Sequence, residues 1–179
     1  MSRDSTPTGC GRRCSGIRPP RVLYRRRITP GRGGELRLRL PEDERELLEL
    51  LCGELRERLD DPADPELRRL FPPAHEDPDA DAEYRQMTGS QLVGGRARAL
   101  STVQGTLDRK TLSSEEAESW LTVLNDLRLV LGTRLDVTEE MDFDLDPDDP
   151  RTPQLAVYAY LSWLQEQLVE AIAENMGAS

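Results

Sequence analysis

The sequence predicts a mainly α-helical protein, a bundle of four to five helices preceded by a small N-terminal β-hairpin. Three observations support this fold class. Apolar residues recur at the three- and four-residue spacing of amphipathic helices through most of residues 41–176. A short segment before them, residues 35–40, alternates apolar and charged side chains. Proline, glycine and aspartate stand between the segments, where helices and strands commonly end.

The hairpin is predicted over residues 21–40. In ELRLRL, residues 35–40, leucine alternates with arginine, which is the period of a strand that has one buried face. The segment 21–28 is predicted as the partner strand, and TPGRGG, residues 29–34, supplies turn residues between them. We expect the apolar face to pack on helices and the other face to present arginine to solvent.

The first helix is predicted to begin at Pro41, because proline is tolerated in the first turn and the acidic residues that follow suit the positive end of the helix dipole. A short helix over 65–70 is predicted next, with Asp64 as its N-cap. Between the two, Asp-Pro pairs interrupt the pattern. The apolar face of the first helix consists of Leu47, Leu48, Leu51, Cys52, Leu55 and Leu59.

One or two helical turns over residues 79–87 and a separate helix over 89–107 are predicted to follow. The next helix begins at the capping box that Ser113 and Glu116 can form, and Gly132 is its expected C-cap. An acidic linker then leads to the last helix, which begins at Thr152-Pro153. The apolar residues of that helix are Leu155, Tyr158, Leu161, Trp163, Leu164, Leu168 and Ile172.

Charge is divided unequally along the chain. Residues 1–39 contain eleven arginines and two acidic residues, whereas residues 40–179 contain 13 basic and 32 acidic residues. Residues 1–20 show no periodicity and are predicted to be a disordered basic tail on a single domain, residues 21–176. The basic arm, residues 1–39, can bind phosphates or fold back onto the acidic remainder of the protein. The candidate nucleic-acid contacts are Arg12, Arg13, Arg18, Arg21, Arg25, Arg26 and Arg27.

The sequence predicts no enzyme, no metal site and no cofactor. The chain has three cysteines and one histidine, and Cys52 lies on an apolar helix face, so a zinc site lacks ligands. Phosphate-loop, dinucleotide-binding and zinc-protease motifs are absent. No apolar segment approaches the roughly 20 residues that span a bilayer, and the first 20 residues contain no signal-peptide core. We therefore expect a cytoplasmic protein that makes no membrane contact.

Cys10 and Cys14 lie four positions apart with Arg12 and Arg13 between them. A segment this short can bring two Cβ atoms to the distance that a disulfide requires, about 3.8 Å. Neighbouring arginines favour the thiolate and so raise its reactivity. The cytoplasm disfavours structural disulfides, and a reversible redox pair fits it better. The alternative is a pair of incidental cysteines in an unstructured tail.

Three segments resemble an actinobacterial family of domains of unknown function that includes an oxidative-stress-responsive transcriptional regulator. They are FPPAHEDPDADAEYRQMTGSQLV (71–93), ESWLTVLNDLRLVLGTRLDVTEE (118–140) and VYAYLSWLQEQLVEAI (157–172). The resemblance covers about residues 21–175. It implies a helical regulator that senses oxidants through a close cysteine pair and acts on transcription. In this chain the close pair is Cys10 and Cys14.

The leading functional hypothesis is a redox-responsive transcriptional regulator in which oxidation joins Cys10 to Cys14 and alters binding to DNA or to another transcription protein. The alternative is an adaptor, a non-enzymatic domain that binds a protein partner, with the basic tail incidental. The two hypotheses differ in whether removal of residues 1–20 impairs partner binding. The apolar character of the last two helices also makes a homodimer an expectation.

Overall fold

The computed structural model describes residues 25–61, 64–74, 77–138 and 148–177. Most of these residues are helical, which confirms the predicted mainly α fold class. The elements are β1 (Ile28–Pro30), β2 (Leu36–Leu38), α1 (Glu42–Leu59), a 3-10 helix (Pro65–Arg69), α2 (Pro78–Gln104), β3 (Thr111–Leu112), α3 (Ser114–Arg134) and α4 (Thr152–Gly177).

Helix α3 lies at the centre of the helical layer, where it packs against α4, α2, the 3-10 helix and α1. Its Trp120 is fully buried, and the indole Nε1 donates a hydrogen bond of 2.9 Å to Oγ1 of Thr106. This contact satisfies the one polar atom that a buried tryptophan carries. Leucine dominates the rest of the core, which includes Leu48, Leu55, Leu67, Leu100, Leu124, Leu161, Leu164 and Leu168.

The predicted hairpin is present, and a third strand extends it into an antiparallel sheet of order β1-β2-β3. Ile28 pairs with Leu38, and Leu36 pairs with Leu112. All four of these side chains are buried, so the sheet covers the helices with one face, as the alternation predicts. Strand β1 begins at Ile28, where the predicted strand 21–28 ends, and includes Thr29 and Pro30 of the predicted turn, whereas residues 21–24 of that prediction lie outside the described residues. Strand β2 is shorter than the predicted 35–40. Strand β3 was not predicted, because two residues are too few to show a period.

Helix α2 corrects the prediction of separate helical segments over 79–87 and 89–107, because it is one helix of 27 residues. Gly94 and Gly95 lie inside it. A glycine costs a helix about 1 kcal/mol relative to alanine but keeps its backbone hydrogen-bonding groups. Packing of α2 against α3 and α1 stabilises the continuous helix despite this cost.

Gly132 is not the C-cap of α3, because the helix extends to Arg134 and Leu135 is its C-cap. The glycine is buried, and a Cβ atom there would lie 3.2 Å from Cε2 of Tyr158 and 3.3 Å from Nη1 of Arg69. Its small size therefore allows α4 and the 3-10 helix to approach α3 closely.

The predicted capping box at the start of α3 is present. Ser113 Oγ accepts a hydrogen bond from the Glu116 backbone N–H at 3.2 Å, and the Glu116 carboxylate accepts one from the Ser113 N–H at 2.8 Å. Ser113→Ala should lower the free energy of unfolding by about 1 kcal/mol, measured by urea denaturation. Ser119→Ala in the same helix is the control and should change stability much less. Equal losses in the two variants would contradict this assignment.

Candidate functional site

The predicted site residues divide between the described and the undescribed parts of the chain. Arg25, Arg26 and Arg27 lead directly into β1. Their positions therefore show where the N-terminal segment joins the folded domain. The residues outside the described part are Cys10, Arg12, Arg13, Cys14, Arg18 and Arg21.

Arg27 is held between α1 and α4. Its Nη2 lies 2.7 Å from Oε1 of Glu44, and its Nε donates to Oε2 of the same carboxylate at 2.9 Å. The Tyr160 hydroxyl donates to Glu44 Oε2 at 2.9 Å. Arg27 also lies over the Trp163 ring, 5.9 Å from its centroid, and its backbone N–H donates to Gln167 Oε1 at 2.6 Å. We call this group of five residues the arginine anchor.

The anchor excludes most solvent, and its contacts raise the pKa of Arg27 and of Tyr160. The Arg27 and Glu44 side chains are only 15% and 17% exposed. The hydrogen-bonded Glu44 carboxylate raises the pKa of Arg27. Burial first, and then the negative charge of Glu44, raises the pKa of Tyr160 far above its usual value. Tyr160 therefore stays a neutral hydrogen-bond donor throughout the physiological pH range.

Arg26 also pairs with the acidic domain, although at its surface. Its guanidinium lies 2.9 Å from Glu170 and 3.1 Å from Glu174 of α4, and all three side chains are about half exposed. The fold-back of basic residues onto the acidic body, weighed above against phosphate binding, is thus present for Arg26 and Arg27. Arg25 is exposed. Nucleic-acid binding by these three arginines stays a prediction.

A second basic cluster lies on the folded domain itself, in a cleft of about 520 Å³ beside β2 and β3. We call it the cationic cleft. One acidic residue, Asp108, also lines it, together with apolar residues and Thr111. The basic residues that line the cleft are Arg37, Arg39, Arg45, Arg109 and Lys110.

Two of the cleft cations have acidic partners. Arg45 lies 3.3 Å from Asp108, and Arg109 lies 2.8 Å from Glu116. The other three, Arg37, Arg39 and Lys110, are exposed and form no ion pair with any described residue. The cleft was not predicted, since Lys110 is far from β2 in sequence. The available signal was the alternating arginines of β2, combined with the adjacent Arg109 and Lys110.

A buried ion pair joins α2 to α3. Arg96 Nε lies 3.0 Å from Oδ2 of Asp126, whose side chain is 3% exposed. The Nε–H group is not aligned for a hydrogen bond, so the contact is primarily an ion pair. Arg96 also lies over the Phe71 ring, 5.0 Å from its centroid. Burial raises the pKa of Asp126 to about 6, although the positive charge of Arg96 opposes this shift.

Cys52 is fully buried in α1, as predicted for a small apolar side chain. Burial raises the pKa of its thiol to about 12, so almost none of it is thiolate at neutral pH. We expect a thiol reagent to label Cys52 only after denaturation, as quantified by mass spectrometry of the Cys52 peptide in native and unfolded protein. Labelling of Cys52 in the native protein at the rate of an exposed cysteine would contradict its burial.

The described residues present no conventional metal or membrane-spanning feature. Among them, no group of three or more His, Cys, Asp or Glu side chains is arranged to hold a metal ion. No helix in the described part of the chain is long and apolar enough to cross a bilayer.

A family model described as a domain of unknown function, DUF2017, matches residues 25–172. The chain belongs to the DUF2017 family. This confirms the resemblance inferred from the three sequence segments. The match begins at Arg25, so it covers the arginine anchor and the cationic cleft but not the two N-terminal cysteines.

Named relatives cover nearly the whole of this DUF2017 protein. It is 28% identical to the oxidative stress regulator AosR of Mycobacterium bovis, over 91% of this chain and 96% of the relative. The protein of the same name from Mycobacterium tuberculosis H37Rv matches to the same extent. The putative oxidative stress regulator AosR of Mycobacterium leprae is 27% identical, over 93% of this chain and 98% of its own. No solved structure matches.

Proposed function

We propose that this protein is a redox-responsive transcriptional regulator of the cytoplasm, without enzymatic activity. One observation carries the proposal: relatives named oxidative stress regulators align with 91% of this chain and with 96% of their own length. The alignment therefore covers more of the chain than the DUF2017 match does. The described surface suits a binding protein, because it carries charged features such as the cationic cleft.

In this proposal Cys10 and Cys14 form the sensor. A Cys10 or Cys14 thiolate attacks hydrogen peroxide and becomes a sulfenic acid, releasing hydroxide, which is protonated to water. The second thiol then displaces the sulfenic oxygen as water, which leaves a disulfide. Two thiols thus lose two electrons and two protons, and one peroxide becomes two water molecules. Arg12 and Arg13 favour the reactive thiolate by their positive charge.

The output of the sensor is a change in what the N-terminal basic segment binds. A disulfide between Cys10 and Cys14 restricts the backbone around Arg12 and Arg13, and it alters how the tail presents arginine to DNA or to another transcription protein. The arginine anchor fixes the C-terminal end of this segment on α1 and α4. The tail therefore acts from a defined position on the domain. Arg18, Arg21 and Arg25 lie between the cysteines and that anchor.

Gene replacement in the organism that encodes the protein tests this function. A deletion strain should lose part of its transcriptional response to peroxide, and the wild-type gene should restore it. The Cys10→Ser/Cys14→Ser variant should fail to restore the response, whereas Cys52→Ala should restore it at a matched protein level. Full restoration by the double serine variant would contradict the proposed sensor.

The second candidate function is an adaptor, and one surface feature favours it. An open groove of about 690 Å³ runs along α4, lined by both aromatic and polar side chains. Val169, in the same groove, is 48% exposed. A protein partner or a second copy of the chain can bury such a surface. If the protein is an adaptor, removal of residues 1–20 leaves partner binding intact. If it is the proposed regulator, its redox response requires those residues. Among the lining residues are Arg128, Tyr158, Ser162, Trp163 and Glu166.

A further inference from the structure

We propose that the cationic cleft binds the phosphate backbone of nucleic acid. This inference rests on the proposed transcriptional role and gives the folded domain a phosphate contact that is distinct from its tail. The cleft brings five basic side chains together against a single lining carboxylate, Asp108. Three of the five, Arg45, Arg109 and Lys110, come from residues 40–179, which carry a large excess of acidic residues. The positive charges in the cleft repel one another, and an anionic ligand relieves that repulsion.

The cleft has donors available for such a ligand. Arg37 lies in β2 and Arg39 directly follows it, and both are exposed while the alternate residues Leu36 and Leu38 are buried. Neither arginine is ion-paired within the described ranges, and the same holds for Lys110. A guanidinium group can donate two parallel hydrogen bonds to one phosphate. Within the described part of the chain, these side chains have no ion pair to break when they bind.

The spacing of the donors suits a phosphate chain. Residues two positions apart on a strand are separated by about 7 Å, which is close to the distance between successive phosphates along one nucleic-acid strand. The backbone of β2 is fixed by pairing on both sides, with β1 and with β3. Arg37 is thus presented by a rigid strand, and Arg39 directly follows that strand. Lys110 joins them because its carbonyl accepts a hydrogen bond from the Leu38 N–H at 2.9 Å.

The arginine anchor and the cationic cleft are connected through the sheet. Strand β1 neighbours β2, and the basic N-terminal segment enters the domain directly before β1. Arg39 N–H donates to the Arg27 carbonyl at 2.8 Å, so the anchor and the cleft share one sheet. Two arginines at the spacing of extended backbone suit regularly spaced phosphates better than the irregular carboxylates of an acidic peptide.

Fluorescence anisotropy with a short labelled DNA duplex tests the proposal on the reduced full-length protein over a series of salt concentrations. The test variant is Arg37→Gln/Arg39→Gln. The matched control is Arg68→Gln/Arg98→Gln, which removes the same charge from two exposed arginines outside the cleft. We expect the test variant to reduce the slope of log affinity against log salt by about 2 and to weaken binding about 10- to 100-fold near 0.1 M salt. The control should change affinity less than about threefold.

Three results would overturn the proposal. Equal losses in the two double variants would indicate general electrostatic attraction instead of a site. No binding of duplex DNA by the wild-type protein would remove the ligand, and binding of labelled poly-glutamate alone would indicate an acidic protein partner. Circular dichroism confirms that each variant is folded. Repeating the titration in Cys10→Ser/Cys14→Ser separates the two proposals, because the cleft needs neither cysteine. A retained difference there supports the cleft even if redox sensing fails.

Discussion

Replacing Arg96 with alanine is expected to destabilise the protein by about 3 kcal/mol at pH 8 and by much less at pH 5. The variant leaves the buried carboxyl of Asp126 without its cation. Without the cation, the carboxyl group, which is only 3% exposed, stays protonated in the folded state. The loss of stability relative to the wild type therefore grows by about 1.4 kcal/mol for each pH unit above the wild-type pKa of about 6. Denaturant unfolding at several pH values measures this dependence.

The sign in the wild-type protein follows from the raised pKa. The folded state holds the Asp126 proton more tightly than the unfolded state, where the pKa is near 4. Ionisation of Asp126 therefore lowers stability as the pH rises from about 4 to about 6, and the loss persists above that range. Asp126→Asn should remove this component, and Arg96→Ala/Asp126→Asn should regain most of the stability that Arg96→Ala loses at pH 8. A loss in Arg96→Ala of the same size at pH 5 and pH 8 would contradict this account.

Glu44→Ala is expected to lower the free energy of unfolding by about 2 kcal/mol and to loosen the start of the sheet. The substitution leaves the partly buried guanidinium of Arg27 and the hydroxyl of Tyr160 without their shared acceptor. Removal of one partner from a buried pair is costly, and the small residual exposure here places the effect below that of a fully buried pair. Hydrogen exchange at the amides of β1 should accelerate in the same variant.

Glu46→Ala is the matched control for the anchor, because Glu46 is an exposed residue of the same helix. It should change stability by no more than about 0.5 kcal/mol and leave exchange in β1 unaltered. If Glu44→Ala and Glu46→Ala have equal effects, the anchor does not hold the N-terminal segment. In the proposed regulator, the anchor would fix the point at which the N-terminal segment joins the domain.

The local features of the fold could be predicted from the sequence because neighbouring residues determine them. The alternation of ELRLRL required one buried strand face, and Ser113 with Glu116 specified the start of α3. The prediction of Gly132 as a C-cap was wrong because a glycine after an apolar run can either end a helix or permit a close contact inside it. The position of Tyr158, which the sequence does not give, shows that this glycine permits a close contact. Strand β3 owes its existence to β2, a partner more than 70 residues earlier.

Contacts between elements that are distant in sequence could not be predicted from local patterns. Asp126 stands within the apolar face of α3, and its partner Arg96 lies on another helix, so no local pattern pairs them. The cationic cleft likewise depends on the register that brings Lys110 beside β2. Arg26 and Arg27 were predicted as candidate nucleic-acid contacts, and their carboxylate partners on α4 and α1 could be identified only from the packing of those helices.

Intact mass and thiol mapping of the full-length protein before and after mild peroxide test the central claim most directly. The account predicts that the oxidised protein loses two hydrogen atoms, that the disulfide joins Cys10 to Cys14, and that a reductant reverses the change. Cys52 should remain a free thiol throughout, since it is buried in α1. Free thiols at both Cys10 and Cys14 after peroxide, or a disulfide that includes Cys52, would contradict the redox-sensing regulator.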